Sequence, residues 1–195
     1  MKDKPIRQYP IIACCGIDCG LCPQYISKGS SRCPGCGGEN FYEKHPSCGI
    51  LSCCTIKHPF QTCAECDEFP CPKFKGWDAA DSFVSHKNTI MNLKYIKENG
   101  ISNYIHELNR RIEFLEKWLH DYDDGRSKSK YCLATTLFSL KTLEAITNDL
   151  IQEIQKEKID QNDLKGKAKK LKNKLEKACQ MEKIELKLRK GQKTK

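Results

Sequence analysis

The spacing of apolar residues divides this 195-residue chain into an irregular first part and a helical remainder. Residues 11–75 show neither the alternation of a strand nor the period of a helix, and their apolar side chains are scattered among glycine and proline. Further along, apolar residues recur every three or four positions, at Ile105, Leu108, Ile112, Leu115, Leu119 and Tyr122. This spacing predicts one apolar stripe along a helix that ends at Asp123-Asp124-Gly125.

A helix is also predicted on the N-terminal side of this stripe. Asp78 or Asp81 can cap it, and it is expected to run to about Glu98. Asn99-Gly100 is a good stop signal, because glycine readily adopts the left-handed conformation that ends a helix.

A third helix is predicted from about residue 130 to about residue 157. Its buried side would consist of Leu133, Leu137, Leu140, Leu143, Ile146, Leu150 and Ile154. The loop before it is only about seven residues long, so we expect the two neighbouring helices to pack as an antiparallel hairpin.

A last helix follows the polar break at residues 160–163, and lysines surround its apolar positions. Those positions are Leu164, Ala168, Leu171, Leu175 and Ala178. Residues 165–195 carry 13 Lys and Arg against 3 Asp and Glu, so the net charge of +9 belongs to this tail. Such a tail can bind nucleic acid, pack on a partner helix, or remain a solvated extension. It lacks the large aromatic residues that would anchor it in a membrane.

Cysteine gives the strongest chemical signal. Twelve of the 14 cysteines lie between Cys14 and Cys71. They include three C-x-x-C pairs, Cys19/Cys22, Cys33/Cys36 and Cys63/Cys66. A C-x-x-C turn directs two sulfurs to one point, and two such turns make a tetrahedral thiolate site. Three pairs in so short a stretch predict metal binding.

Nothing at the N-terminus predicts export. The apolar run at residues 11–15 is too short for a signal peptide, and no later stretch approaches the ~20 apolar residues of a membrane span. We therefore expect a cytoplasmic protein without a membrane span, in which reduced thiols bind metal rather than form disulfides.

The cysteine motifs also carry a resemblance. They read CGIDCGLC at residues 15–22, CPGC at 33–36 and CAECDEFPC at 63–71. With the cysteines between them, the pattern over residues 12–75 resembles a small cysteine-rich domain of unknown function in bacteria and archaea, usually described as zinc-binding. The resemblance implies ten ligand positions: Cys15, Cys19, Cys22, Cys33, Cys36, Cys48, Cys53, Cys63, Cys66 and Cys71.

Ten thiols exceed the eight that two four-thiolate zinc ions need. We assign one ion to Cys19, Cys22, Cys33 and Cys36. We assign the other to Cys48, Cys53, Cys63 and Cys66. Cys15 and Cys71 remain as substitutes or as a separate pair. Cys14 and Cys54 each stand directly beside another cysteine, and we expect them to be spare, which means that they are not needed as metal ligands.

An iron–sulfur cluster is the alternative cofactor. The spacing of Cys15, Cys19 and Cys22 matches that with which radical S-adenosylmethionine enzymes hold a [4Fe–4S] cluster. Those enzymes need a barrel of alternating strands and helices, and this sequence does not predict one. An ordinary [4Fe–4S] cluster fits the same thiolates. His45 and His58 could each replace a thiolate, although solvated loop histidines are the preferred interpretation.

Two further features bear on chemistry. Arg126, Ser127 and Lys128 precede a predicted helix, where backbone N–H groups can bind an anion, or where the serine can simply cap the helix. Closed four-thiolate sites leave no open position for substrate, so we do not expect a metalloenzyme. A reactive thiol at Cys71 or Cys132 is a third possibility, with metal ligation and core packing as the respective alternatives.

These signals predict a mainly α protein with a small irregular metal module. The expected domains are a cysteine-rich module at 1–76, a helical domain at 77–160 and a Lys-rich helical tail at 161–195. The expected function is that of a structural zinc protein with two ions that presents a recognition surface for protein or nucleic acid. The alternative is an iron–sulfur redox or sensor protein.

Overall fold

The computed structural model describes residues 6–46, 48–77 and 79–191. Within these ranges the chain is mainly α-helical and contains no strand, which confirms the predicted fold class. The seven α-helices are α1 Phe41–Lys44, α2 Gly49–Ser52, α3 Thr89–Asn99, α4 Ile101–Asp121, α5 Lys128–Leu137, α6 Leu140–Lys156 and α7 Leu164–Glu182. None of these helices is both long enough and apolar enough to cross a membrane.

The described residues form two compact units. One contains residues 6–108 together with 188–191, and the other contains Asn109–Lys187. The first unit holds the cysteine-rich segment, α3 and the start of α4. The predicted domain boundaries after residues 76 and 160 stay predictions.

The cysteine-rich segment is irregular, as its sequence pattern indicates. Apart from α1 and α2, its regular structure consists of single turns: three 3-10 turns at Cys19–Leu21, Cys63–Glu65 and Pro72–Phe74, and a π turn at Cys53–Lys57. Its fully buried apolar side chains are few, and Ile12, Leu21 and Leu51 are the largest.

Helix α3 begins later than its sequence suggests. Asp81 does not cap it, because its carboxylate accepts the His86 backbone N–H at 2.7 Å and pairs with Arg189 at 2.8 Å. These contacts hold residues 79–88 as a loop, so the predicted start at Asp81 is wrong, and Asp78 lies outside the described residues. Gly100, with φ +84°, ends the helix as expected.

Helix α4 contains the predicted apolar stripe, but the side of the helix that is buried is rotated relative to that stripe. Leu108 and Leu115 are buried as expected, whereas Ile112 is only half-buried. Tyr104 and Trp118 are buried beside them. A stripe drawn through aliphatic residues alone does not include these two aromatic side chains.

The single helix predicted for residues 130–157 is wrong, because the structure has α5 and α6 instead. Phe138 is extended, with ψ 154°, and the Ser139 hydroxyl accepts the Thr142 backbone N–H at 3.1 Å to cap α6. Arg111 donates to the carbonyl groups of Thr135 and Phe138 at 2.8 and 2.6 Å. A serine cap and an arginine therefore stabilise a break that the continuous apolar period conceals.

Helix α7 packs through the predicted apolar face. Ala168, Leu171, Leu175 and Ala178 are buried, while Leu164 is exposed. The helix is thus an integral part of the second unit, rather than an extension.

Some α7 lysines form ion pairs with α6. Lys170 lies 2.7 Å from carboxylate oxygens of both Glu153 and Glu157. Lys174 lies 2.6 Å from Asp149 and 2.5 Å from Glu153. Part of the tail's basic charge is therefore balanced within the chain.

Candidate metal centre

The CGIDCGLC loop has a shape set by its backbone. The Ala13 N–H donates to the Ile17 carbonyl at 2.8 Å, and the Gly16 N–H donates to the Ala13 carbonyl at 2.9 Å. Gly16 has φ +87°, and a Cβ at this position would lie 2.4 Å from the Thr89 carbonyl oxygen. Only glycine allows the loop to approach the start of α3 so closely.

A buried carboxylate holds this loop against α3 and α4. Asp18 lies inside the motif, and its Oδ1 accepts the Tyr104 hydroxyl at 2.6 Å. Asn92 Nδ2 donates to the Gly16 carbonyl at 2.9 Å and to Asp18 Oδ2 at 3.3 Å. The loop that carries Cys15, Cys19 and Cys22 is therefore anchored to two regular helices.

The predicted ligands of the first zinc ion lie close together. This first thiol group consists of Cys19, Cys22, Cys33 and Cys36. The Cys33 N–H donates to the Gln24 carbonyl at 3.0 Å, and the Cys36 N–H donates to the Pro10 carbonyl at 2.9 Å. Gly35 permits the second contact, because its φ is +84° and a Cβ would lie 2.4 Å from the Pro10 oxygen.

Backbone N–H groups approach the sulfurs of this group. The N–H of Cys36 reaches the Cys19 sulfur, and those of Gln24 and Tyr25 reach the Cys22 sulfur. Burial nevertheless raises the pKa of Cys19 to about 12, and the nearby thiols raise it further, against the effect of the N–H group. The Cys19 sulfur can therefore ionise at neutral pH only when a cation offsets its burial.

A second set of thiols surrounds a cavity of about 490 Å³. Its sulfur-bearing lining residues are Cys53, Cys54, Cys63, Cys66 and Cys71. His58 and the aromatic rings of Phe60, Phe69 and Phe74 complete much of the wall. Three of the four thiols predicted for the second ion therefore meet here, together with Cys71.

Cys48, the fourth predicted member, does not line this cavity. It lies near Cys15 instead, where its charge adds to the burial that raises the pKa of the Cys15 thiol well above its ordinary value. The structure thus brings Cys15 close to Cys48 and places Cys71 with the cavity thiols.

The two cysteines expected to be spare are among the most buried. Cys14 is 1% exposed and Cys54 is 3% exposed. The nearby thiols of Cys36 and Cys54 lower the pKa of the Cys14 thiol, although burial opposes them. Cys54 also contacts Cys63 and donates to the Phe60 carbonyl at 3.4 Å. These two thiols thus join the first thiol group to the cavity. The sequence does not reveal this role, because each of the two simply stands next to another cysteine.

Among the described residues, no three His, Cys, Asp or Glu side chains are already arranged to hold a metal ion. The donor set still fits a thiophilic metal, because the sulfurs lie in groups and receive backbone N–H groups, as thiolate ligands do. Metal binding would require cysteine side chains to rotate towards a common centre.

The two module histidines lie in different surroundings. His45 is exposed and stacks on Phe41 with ring centroids 4.5 Å apart. His58 stacks on Phe60 and lines the cavity. Only His58 is therefore placed beside the cavity thiols.

The predicted anion-binding segment already contacts carboxylates. The Ser127 hydroxyl donates to Asp124 Oδ1 at 2.7 Å, and the Ser127 N–H donates to Asp123 Oδ1 at 3.2 Å. The Arg126 N–H donates to Asp124 Oδ1 at 3.1 Å. Anion binding at Arg126, Ser127 and Lys128 stays a prediction, and an external anion would have to compete with both aspartates.

The family comparison matches about a third of the chain. Residues 11–76 match the model of a family described as "Protein of unknown function (DUF3795)". This match confirms the predicted resemblance to a domain of unknown function and covers the whole segment from Cys14 to Cys71. No curated protein and no solved structure matches the chain.

The Asp18 anchor leads to a prediction. Tyr104→Phe removes the hydroxyl and leaves a buried carboxylate oxygen without this donor, which should lower the free energy of unfolding of the first unit by about 1.5–3 kcal/mol. Denaturant unfolding of the two proteins measures the change.

Tyr95→Phe is the matched control, because it removes a 2.9 Å hydroxyl–carboxylate bond to Glu107 at a position that is only half-buried. A loss for Tyr104→Phe no larger than that of the control would show that Asp18 does not anchor the loop.

Proposed function

We propose that this chain is a cytoplasmic metal-binding protein in which zinc ions fold the cysteine-rich module. The first ion is held by the first thiol group, Cys19, Cys22, Cys33 and Cys36. The second is held at the cavity by Cys53, Cys63, Cys66 and Cys71. Bound zinc supplies strong cross-links between loops that share little apolar core.

The first thiol group carries this proposal. Two C-x-x-C turns lie close together, their cysteines are buried or half-buried, and backbone N–H groups approach two of the sulfurs. N–H groups directed at sulfur favour the thiolate, which is the form that binds a metal. All 14 cysteines are free thiols in the structure, the form from which a metal-binding thiolate is made.

The second ion requires one change from the sequence assignment. The cavity brings Cys71 beside Cys53, Cys63 and Cys66, so we assign Cys71 as a ligand in place of Cys48. Four thiolates complete a tetrahedral shell, so this ion also has a structural rather than a catalytic role.

The cavity also supports the iron–sulfur alternative. Five thiols surround one largely apolar space of about 490 Å³, with three phenylalanines in its wall. Cysteine thiolates hold iron–sulfur clusters as readily as zinc, and an apolar wall shields a cluster from water. A redox or sensor protein with a [4Fe–4S] cluster is therefore the second candidate.

Metal content and colour separate the two candidates. Protein purified without oxygen should be colourless and carry two zinc ions per chain, and Cys22→Ser should lose one of them. Cys132→Ala is the control that should keep both, because Cys132 lies in α5. Broad visible absorption with stoichiometric iron and sulfide would support the cluster, and folded protein without any metal would contradict both.

The recognition surface is proposed on the exposed face of α7. Lys165, Lys169 and Lys177 are exposed there, whereas Lys170 and Lys174 pair with α6. Exposed lysines spaced along one helix can approach successive phosphates of a nucleic acid.

Replacing Lys165, Lys169 and Lys177 by Gln should weaken binding to single-stranded DNA. The slope of log affinity against log salt concentration should become shallower by about 0.7 for each phosphate that the variant no longer neutralises. The control makes the same change at the exposed lysines of the first unit, Lys87, Lys94 and Lys97. Binding that does not depend on salt, or that both triple variants weaken equally, would contradict a nucleic-acid surface on α7.

A further inference from the structure

Arg7 is a buried cation outside the segment that matches the family model. Arg7 is only 3% exposed. It lies four positions before residue 11, where the family match begins. Arginine is almost never fully buried unless its charge is balanced, so its surroundings require an explanation.

The guanidinium group ties three loops together through carbonyl groups. Nη1 donates to the Ile12 carbonyl at 2.7 Å and to the Cys36 carbonyl at 2.8 Å, and Nη2 donates to the Gln61 carbonyl. Gly37 makes room for the stem, because a Cβ there would lie 2.7 Å from Arg7 Cδ.

These contacts satisfy hydrogen bonds but do not balance the charge. Carbonyl groups are neutral, and no carboxylate of the described residues forms an ion pair with Arg7. The Nε atom is buried and has no hydrogen-bond partner within the same described ranges. Burying a charge without a counter-ion is strongly unfavourable, because the charge loses its hydration, so a balancing negative charge is expected close by.

The guanidinium group lies against the backbone of the first thiol group. Its Nη1 atom donates to the carbonyl group of Cys36, a proposed ligand, and Gly37, which packs on the Arg7 stem, directly follows that ligand. A zinc ion held by four thiolates carries a net negative charge. Such a site would therefore supply a negative charge that balances Arg7.

We propose that Arg7 is the counter-ion of the first thiolate site. This inference rests on the proposed function and extends it to a residue outside the cysteine motifs. Four thiolates around a divalent ion leave two excess negative charges, and the Arg7 guanidinium balances one of them while its carbonyl contacts fix its position. Arg7 is thus a positioning residue that raises the affinity of the site for zinc.

The test compares two variants of Arg7. Arg7→Gln removes the positive charge, whereas Arg7→Lys keeps the charge but cannot make the same three hydrogen bonds to carbonyl groups. Zinc affinity is measured by competition with a chelator, and the pH midpoint of zinc release is measured on acidification. Arg7→Gln should weaken zinc binding roughly 10–100-fold, which is the usual effect of changing a residue that contacts the metal ligands but not the metal. Its zinc should be released at a higher pH, because loss of the cation makes the thiolates easier to protonate.

Arg7→Lys should bind zinc more tightly than Arg7→Gln. The matched control is Arg32→Gln, since Arg32 is exposed and also donates to a carbonyl, that of Tyr25, at 2.8 Å. It should keep the wild-type affinity and the wild-type pH midpoint.

Wild-type zinc affinity in Arg7→Gln would overturn the proposal. Equal losses of zinc affinity in Arg7→Gln and Arg7→Lys would also overturn it, because Arg7 would then act only by linking loops through hydrogen bonds. If Arg7→Gln does not fold, Arg7→Lys decides: retained zinc supports a counter-ion and lost zinc overturns it. A wild-type protein without metal would instead contradict the proposed function, and this inference with it.

Discussion

Buried sulfur is the constraint on which the first unit depends. Cys14, Cys15, Cys22 and Cys54 are buried in a segment whose large, fully buried apolar side chains are few. Thiols packed against thiols contribute less to folding than a core of leucine and phenylalanine, and burial opposes their ionisation. Under the proposed function, a shared cation resolves both problems, because it makes the thiolate the favoured form and links loops that are distant in sequence.

The surrounding contacts fit this arrangement. Gly16 allows the first cysteine loop to approach α3, Asp18 fastens it to Tyr104, and Arg7 joins the Ile12, Cys36 and Gln61 carbonyl groups. The second unit needs no such device, because Trp118, Leu143 and Leu171 give it an ordinary helical core.

Sequence patterns predicted the helical part well where one apolar period acts alone, as in α4 and α7. They failed at Ser139, where a side-chain cap ends one period and starts another without changing the spacing of leucines. The thiol clusters were predictable in kind, since C-x-x-C spacing is local. The partners of Cys14, Cys54 and Arg7 were not, because contacts such as that between Arg7 and Gln61 join distant residues and leave no periodic signal.

The most direct test of the account removes the metal from the whole protein. Zinc is stripped with a strong chelator under reducing conditions, and amide hydrogen exchange is followed segment by segment. We predict that protection is lost across residues 11–76 while α5, α6 and α7 keep theirs, because only the cysteine-rich module depends on bound ions. Unchanged protection of residues 11–76 in the metal-free protein would contradict it.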